Sequence, residues 1–353
     1  MALGLFCIAF IVYGNLIVCN LFAVFLSKKL AGAPLNCAFM QKNIHSLPGK
    51  PGAQQARQNN HTSQRPKADQ VIEELRPGQS IELLKELHIL TREGKLNQDT
   101  RRKLKQVYHL YQFIEPLLNE VLTNNPAATL ADHGAGKSYL GFILYDLFFN
   151  VAHAGQKTTG HIYGIETRAE LVEKSRLLAE RLGFKRMSFL NLSVQQATQS
   201  SDLPPSVDIV TALHACDTAT DDAIAFGLAK HAKHMVLVPC CQAEVAGVLK
   251  KSKALNLAKT PLAELWRHPL HTREFGSQIT NVLRCLQLEA NGYQVTVTEL
   301  VGWEHSMKNE LILASQPLQP TPAKTREAQV RLQQVLEQLG LTELNVRFAP
   351  LNA

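Results

Sequence analysis

The sequence predicts an α/β fold: a seven-stranded, mostly parallel sheet with an antiparallel C-terminal hairpin, preceded by an N-terminal helical segment. Three observations predict it. From residue 127 onward, short apolar runs alternate with segments whose apolar residues recur every three or four positions, the pattern of parallel strands joined by crossover helices. A glycine-rich turn, "ADHGAGKSYL" (131–140), separates the first such run from the first helix. The last two runs are separated by only "WEHSMK" (303–308), too short for a crossover helix, so they pair antiparallel.

The chain opens on residues 2–26, "ALGLFCIAFIVYGNLIVCNLFAVFL", which carry no charge and are long enough to span a bilayer. Two readings of segment 1–30 stay open. It is a membrane anchor, with Lys28 and Lys29 holding the bulk of the protein on the cytoplasmic side, or a start-site artefact with translation beginning at Met40. Residues 31–68, rich in Gln, Asn, Pro and Gly, lack apolar periodicity and read as a disordered linker. Residues 69–122 form a basic helical segment. "SIELLKELHIL" (80–90) and "RRKLKQVYHLYQFIEPLLNEVL" (101–122) have helical spacing, and Asp99 or Thr100 is the expected N-cap of the second helix.

The strands expected next are residues 127–132, 161–166, 186–192, 207–215 and 234–241. Helices are expected over 138–149, 168–183, 220–232 and 276–292, with a helical insertion from 244 to about 270. The hairpin strands are "YQVTVTELVG" (293–302) and "NELILAS" (309–315). This sheet domain is assigned to 123–318. Residues 319–353 add one polar helix, opened by Thr321-Pro322, and a tail.

Composition narrows the function. The chain has 353 residues, 45% of them hydrophobic, enough for one large α/β domain and a smaller attachment. Its net charge of +7 is local: Lys28 to Leu110 holds 15 Lys/Arg against 7 Asp/Glu, and the rest is close to neutral. A cationic segment suits a polyanion such as RNA, or else is a solvated arm. The seven cysteines are scattered, without the spacing of a disulfide framework or a zinc site. A cytoplasmic setting, no metal and a monomer are expected.

The glycine turn admits two ligands. Ala131-x-x-x-x-Gly136-Lys137-Ser138 is nearly a nucleotide P-loop; Asp132-x-Gly134-x-Gly136 is the turn that holds S-adenosylmethionine. A P-loop enzyme needs an acid closing a later apolar strand to hold its metal. The strand ends "IYGIE", "TALHACD" and "VLVPCC" do not supply it in that form. Glu166 instead closes the very next strand, where a carboxylate can accept both ribose hydroxyls. The adenosyl reading is favoured. In it Asp132 holds the methionine ammonium, and Gly134 and Gly136 let the backbone turn sharply beside the ligand.

With "DHGAGKSYL", "LHACDTATD", "PCC" and "EHSMKN" in order over about 117–315, the chain resembles the class I S-adenosylmethionine-dependent methyltransferases, which have a Rossmann-like sheet. Within them it resembles a branch marked by DxGAGKxYL, LHACDxATD, PCC and EHxxKN blocks. A looser similarity links it to acceptor-stem tRNA 2′-O-methyltransferases. Ser138 stands where many relatives have Gly, and as a small residue is expected to cap the helix. The resemblance implies S-adenosylmethionine as cofactor, held by Asp132, Gly134, Gly136, Lys137, Glu166, Leu213 and His214.

Catalytic candidates lie beyond the strand ends. His214 can act as general base, and Asp217 can orient it or bind the acceptor. Asp217 with Thr218 and Thr220 is equally an N-cap cluster. Cys240 could attack a pyrimidine ring as a thiolate, or be a small buried strand residue. For the acceptor, RNA above all, the expected contacts are Lys308 and Asn309 at the hairpin and Arg101 and Arg102 on the basic helix. Arg267, His268, His271 and Arg273 lie in the insertion, where acceptor-specific elements are often placed.

Overall fold

The structure, a computed structural model, describes residues 74–155, 159–213, 215–240, 242–252, 259–300 and 309–350. The expected anchor and linker (1–68), His214, Cys241 and Lys308 lie outside the described residues. Among the described residues no helix is long and apolar enough to cross a membrane.

Two helices come first. In α1 (Ile81–Glu86), Ser80 caps the first turn, accepting from Leu83 N. In α2 (Gln98–Asn124) the cap is Asn97, not Asp99 or Thr100. Thr100 is the third helical residue and closes a capping box, its hydroxyl accepting from Asn97 N. The Asn side chain competes better for the orphan N–H groups because its carbonyl reaches the Thr100 N–H at 2.9 Å. The buried stripe of α2, Leu104, Val107, Leu110, Tyr111, Ile114, Leu118 and Val121, recurs every three or four residues and packs into the same core as the sheet.

The sheet follows: β1 (Thr129–His133), β2 (His161–Ile165), β3 (Met187–Leu190), β4 (Ile209–Leu213), β5 (His234–Val238), β6 (Gln294–Glu299) and β7 (Glu310–Ser315). Their order is β3-β2-β1-β4-β5-β7-β6. β1 to β5 are parallel; β7 runs antiparallel to both β5 and β6. Seven strands, mostly parallel, with a terminal antiparallel hairpin, match the fold the sequence predicts.

Alternation along the strands divides the core. Leu130, Ile162, Ile209 and Val236 point to one face, under α1, α2, α3 (Tyr139–Leu144) and α4 (Ala169–Leu182). Ala131, Ile165, Val210 and Met235 point to the other, under α5 (Val194–Gln199) and α6 (Ala219–Ala229). The short α5 was not legible in the sequence. The helix expected over 138–149 opens into a π-helical stretch, Tyr145–Ala152, where Tyr145 stacks on Phe184 at 4.5 Å. The insertion after β5 comprises α7 (Glu244–Ser252) and a 3-10 turn, Pro261–Trp266; α8 (Pro269–Ala290) starts seven residues earlier than expected. α9 (Pro322–Gln338) and α10 (Asn345–Phe348) pack on α7 and α8 through Ala328, Leu332, Leu336 and Phe348.

Candidate functional site

The chain runs outward from β1 through β2 to β3, then returns across β1 to β4. That reversal opens a crevice beyond the carboxyl ends of β1 and β4, the place where open α/β sheets bind ligands. Asp132 and Thr211 are register partners there, and the Thr211 hydroxyl donates to Asp132 Oδ1 at 2.8 Å. Burial pushes the Asp132 carboxyl up to about 7, against the opposing pull of that hydroxyl. Among the described residues no charged group contributes to the shift. A buried carboxylate without a cation is costly to ionise, so the position suits a cationic ligand group.

The turn after β1 has left-handed backbone at Gly134 (φ +66°) and Gly136 (φ +58°). A Cβ on Gly134 would meet only Ala215, at an ordinary 3.6 Å. Backbone conformation, more than lack of room, therefore requires glycine there. Ser138 shares this conformation at φ +50°, and its side chain caps nothing. The expected cap is corrected: a left-handed residue aims its hydroxyl away from the helix N–H groups, and the buried oxygen has no partner among the described residues. Lys137 is exposed on the turn.

Glu166, just past β2, receives the turn. Its Oε2 accepts from Gly136 N at 2.8 Å, and Oε1 accepts from Arg168 N at 3.0 Å. The Arg168 guanidinium adds bonds of 3.0 and 3.1 Å, one to each oxygen. Burial alone would raise this carboxyl, but the Arg168 side chain and the Arg168 and Gly136 backbone outweigh it and hold it at about 2. Sequence reasoning missed Arg168, and it missed His133. The His133 imidazole packs against Phe226 at 5.8 Å; neither ring nitrogen has a partner among the described residues, and burial lowers it to about 4. Its signal was its place between Asp132 and Gly134.

The loop after β4 carries Leu213, half-buried at the strand end, then Asp217 at φ +50°. Asp217 caps α7, not α6: Oδ1 accepts from Ala243 N at 2.9 Å and Glu244 N at 3.4 Å. Thr218 stands at the start of α6 without a capping bond, and Thr220 donates to Ala215 O at 2.7 Å. Cys240, after β5, lies with its sulfur 3.3 Å from that of Cys216.

Both loops are fixed from behind by α8. Arg284, fully buried, donates to Asp221 Oδ1 at 2.8 Å and Oδ2 at 2.7 Å, and to Asp217 O at 2.8 Å. Gln242 donates to Asn281 Oδ1 at 2.8 Å and accepts from Ser277 at 2.6 Å; Asn281 donates to Glu310 at 2.7 Å. The signal in the sequence was a run of polar residues, Ser277, Asn281 and Arg284, on the face where helical spacing puts Leu283 and Leu288 inside.

Of the expected acceptor contacts, Asn309, Arg101 and Arg102 are among the described residues. Asn309 ends the hairpin beside β7, its carbonyl accepting from Leu300 N at 2.8 Å. α2 has 27 residues, ~40 Å at 1.5 Å each, against ~17 Å for a five-residue strand. Its C-terminal part reaches the amino edge of the sheet, where Glu120 pairs with Lys233. The first turns of α2 carry Arg101, paired with Glu74 at 2.7 Å, and Arg102, 3.9 Å from Asp99. A cavity of about 510 Å³ is lined by residues including Trp266, Lys250, Arg267 and Arg273 from α7, the 3-10 turn and α8. Its arginines also pair with Glu264 and Glu274. Among the described residues no cluster of three or more His, Cys, Asp or Glu could hold a metal ion.

Residues 102–248 match the family model described as a methyltransferase domain. No curated protein matches the chain. Among solved structures it is similar to an rRNA methylase from Streptococcus thermophilus (7% identity, 58% of this chain and 93% of that one, TM-score 0.36). It is likewise similar to magnesium protoporphyrin IX methyltransferase from Synechocystis with bound SAH (15%, 66% and 94%, 0.37). A third is fibrillarin from Aeropyrum pernix with bound S-adenosyl-L-methionine (14%, 54% and 66%, 0.30). Likeness at this level decides nothing about the acceptor.

Proposed function

We propose that this protein transfers a methyl group from S-adenosylmethionine to RNA, using the LHACDTATD, PCC and EHSMKN blocks around the crevice. The observation that carries the donor site is Asp132, a buried carboxylate lacking a cation among the described residues, set beside a left-handed glycine turn that is tied to Glu166. When bound, the donor supplies an electrophilic methyl group on a sulfonium. Asp132 would hold its ammonium, Glu166 its ribose hydroxyls, and Leu213 with His214 would border the adenosyl end. Lys137, exposed on the turn, would meet the carboxylate.

His214 serves as the proton acceptor for the attacking hydroxyl or ring nitrogen, and Asp217, three residues on in the sequence, holds its loop to α7. Cys240 is the nucleophile only if the acceptor is a pyrimidine carbon. RNA is supported by two cationic elements: Arg101 and Arg102 on α2, and the cavity in which Trp266 lies among Lys250, Arg267 and Arg273. An aromatic ring among cations suits a stacked base with its phosphates. Lys308 and Asn309 complete the acceptor surface at the hairpin, in a cytoplasmic, monomeric enzyme.

The test is label transfer. Tritiated S-adenosylmethionine is incubated with total RNA, lysate protein and small-metabolite fractions. Label in RNA, lost in Asp132→Asn, is the expected result. Label confined to protein or metabolites would refute the RNA acceptor, and no label anywhere would favour an inactive donor-binding scaffold.

A further inference from the structure

The crevice contains one chemical group that methyl transfer to oxygen or nitrogen does not use. Cys216, from the loop after β4, and Cys240, from the loop after β5, bring their sulfur atoms to 3.3 Å, and neither is in a disulfide. They are far apart in sequence and meet only because β4 and β5 are neighbours, with Leu213 opposite Val238 at their ends. Cys216 is exposed and Cys240 half-buried, so a small oxidant reaches the pair. Cys285 contrasts with them: burial pushes its thiol up to about 12, which keeps it inert.

We infer that Cys216 and Cys240 form a reversible disulfide that lowers affinity for the methyl donor, making the crevice an oxidation-sensitive site. The step balances with a peroxide as oxidant. One thiolate attacks a peroxide oxygen and becomes a sulfenic acid, releasing water. The second thiol displaces the hydroxyl as a second water, so two thiols and one hydrogen peroxide give one disulfide and two waters. A dithiol reductant reverses it by exchange.

The direction of the effect follows from strand order. A disulfide needs its sulfurs at ~2.05 Å, an approach of roughly 1.2 Å from the reduced pair. β4 lies between β1 and β5, so drawing Cys216 toward Cys240 moves its loop away from β1. The residue next to Cys216, Ala215, borders Gly134 of the turn: a Cβ placed on that glycine would come 3.6 Å from the Ala215 Cβ. Oxidation therefore shifts the segment that borders the glycine turn.

The inference rests on the crevice being the donor site, but its covalent half does not, and the experiment separates the two. The full-length chain is treated with hydrogen peroxide, digested without reduction and mapped by mass spectrometry, and S-adenosylmethionine binding is measured by calorimetry before, after, and after dithiothreitol. A Cys216–Cys240 cross-linked peptide, lighter by about 2 Da than its reduced parts, is expected in the wild type and in Cys241→Ser, and absent in Cys216→Ser. Donor affinity is expected to fall about tenfold on oxidation and to recover on reduction, with no change in Cys216→Ser. Linkage of Cys240 to Cys241, or no cross-link, overturns the pair. A cross-link with unchanged affinity overturns its effect on the donor. Absence of donor binding to the reduced protein refutes the donor-site reading instead.

Discussion

Donor binding is expected to be linked to a proton, because Asp132 must ionise to meet an ammonium group. In the ligand-free protein burial holds its carboxyl at about 7. In the complex the ammonium lowers it far below that. The apparent dissociation constant is then multiplied by one plus the ratio of protonated to ionised carboxyl. With a midpoint of 7 that factor is about 11 at pH 6 and about 1.3 at pH 7.5, so affinity weakens about eightfold over that interval. Roughly nine-tenths of a proton is released on binding at pH 6. The other crevice groups with resolved shifts, His133 at about 4 and Glu166 at about 2, titrate outside this window.

The assay is calorimetry with S-adenosylmethionine at pH 6 and 7.5, in two buffers of different ionisation enthalpy so that released protons are counted. Asp132→Asn is expected to bind about ten- to a hundredfold more weakly at pH 7.5, the worth of one charge-assisted hydrogen bond, and to lose the pH slope. A wild type whose affinity is the same at both pH values, or an Asn variant that keeps the slope, would refute the reasoning. The same carboxyl sets a sign for stability. Its folded value lies above the ordinary 3.8, so the ligand-free fold loses stability as pH rises from about 4 to about 7, and the donor offsets that loss.

Other perturbations have equally direct readouts. Ser138→Gly removes a left-handed serine and a buried hydroxyl without a partner among the described residues, and should stabilise the protein by about 1 kcal/mol, raising Tm by a few degrees in thermal unfolding. Arg284→Met leaves Asp221 buried without its bidentate partner and should cost about 3–5 kcal/mol in denaturant unfolding, with much of it recovered when Asp221→Leu is added. Glu166 is held at about 2 by Arg168 and the Gly136 backbone, so its contribution is present above the ordinary 4.5 and lost as pH falls toward 2; acid unfolding of Glu166→Gln should lack that part of the slope. Arg101→Gln with Arg102→Gln should make the salt dependence of RNA binding shallower, by about 0.7 in log–log slope for each phosphate of single-stranded RNA that is no longer neutralised. An unchanged slope would remove α2 from the acceptor surface.

Much of this was legible in the sequence because strand periodicity and glycine placement report local physics. The parallel strands and the antiparallel hairpin follow from apolar runs and from the length of the segment between the last two. The glycine turn at the end of β1 and the acid closing β2 follow from Asp132, Gly134, Gly136 and Glu166, which stand at strand ends that the pattern locates. What was not legible depends on side chains meeting across the fold. Asn97 outcompetes Asp99 and Thr100 as a cap through local geometry that composition does not encode. Asp217 looked like a cap for the helix that follows it, and caps a helix 27 residues downstream at Glu244. Arg284, Asn281 and Gln242 form a buried network because α8 lies behind two loops, and no spacing within α8 announces which loops those are.

The two carboxylates of the crevice are in opposite states before any ligand arrives. Asp132 is raised, lacking a cation among the described residues, and gains when an ammonium comes. Glu166 is lowered, its oxygens already accepting five bonds, from Gly136 N, Arg168 N, the Arg168 guanidinium twice and Thr167. In the proposed donor complex, ribose hydroxyls would have to replace the Arg168 guanidinium, exchanging charged hydrogen bonds for neutral ones, with a small net gain at that end. Arg168 is 59% exposed in its side chain, so water takes it up at little cost once released. Affinity should therefore come chiefly from the methionine end, and selectivity for the adenosyl group from the fit around Glu166. From this asymmetry the single buried aspartate at the switch point, and not the more heavily bonded glutamate, is expected to govern how donor binding responds to pH.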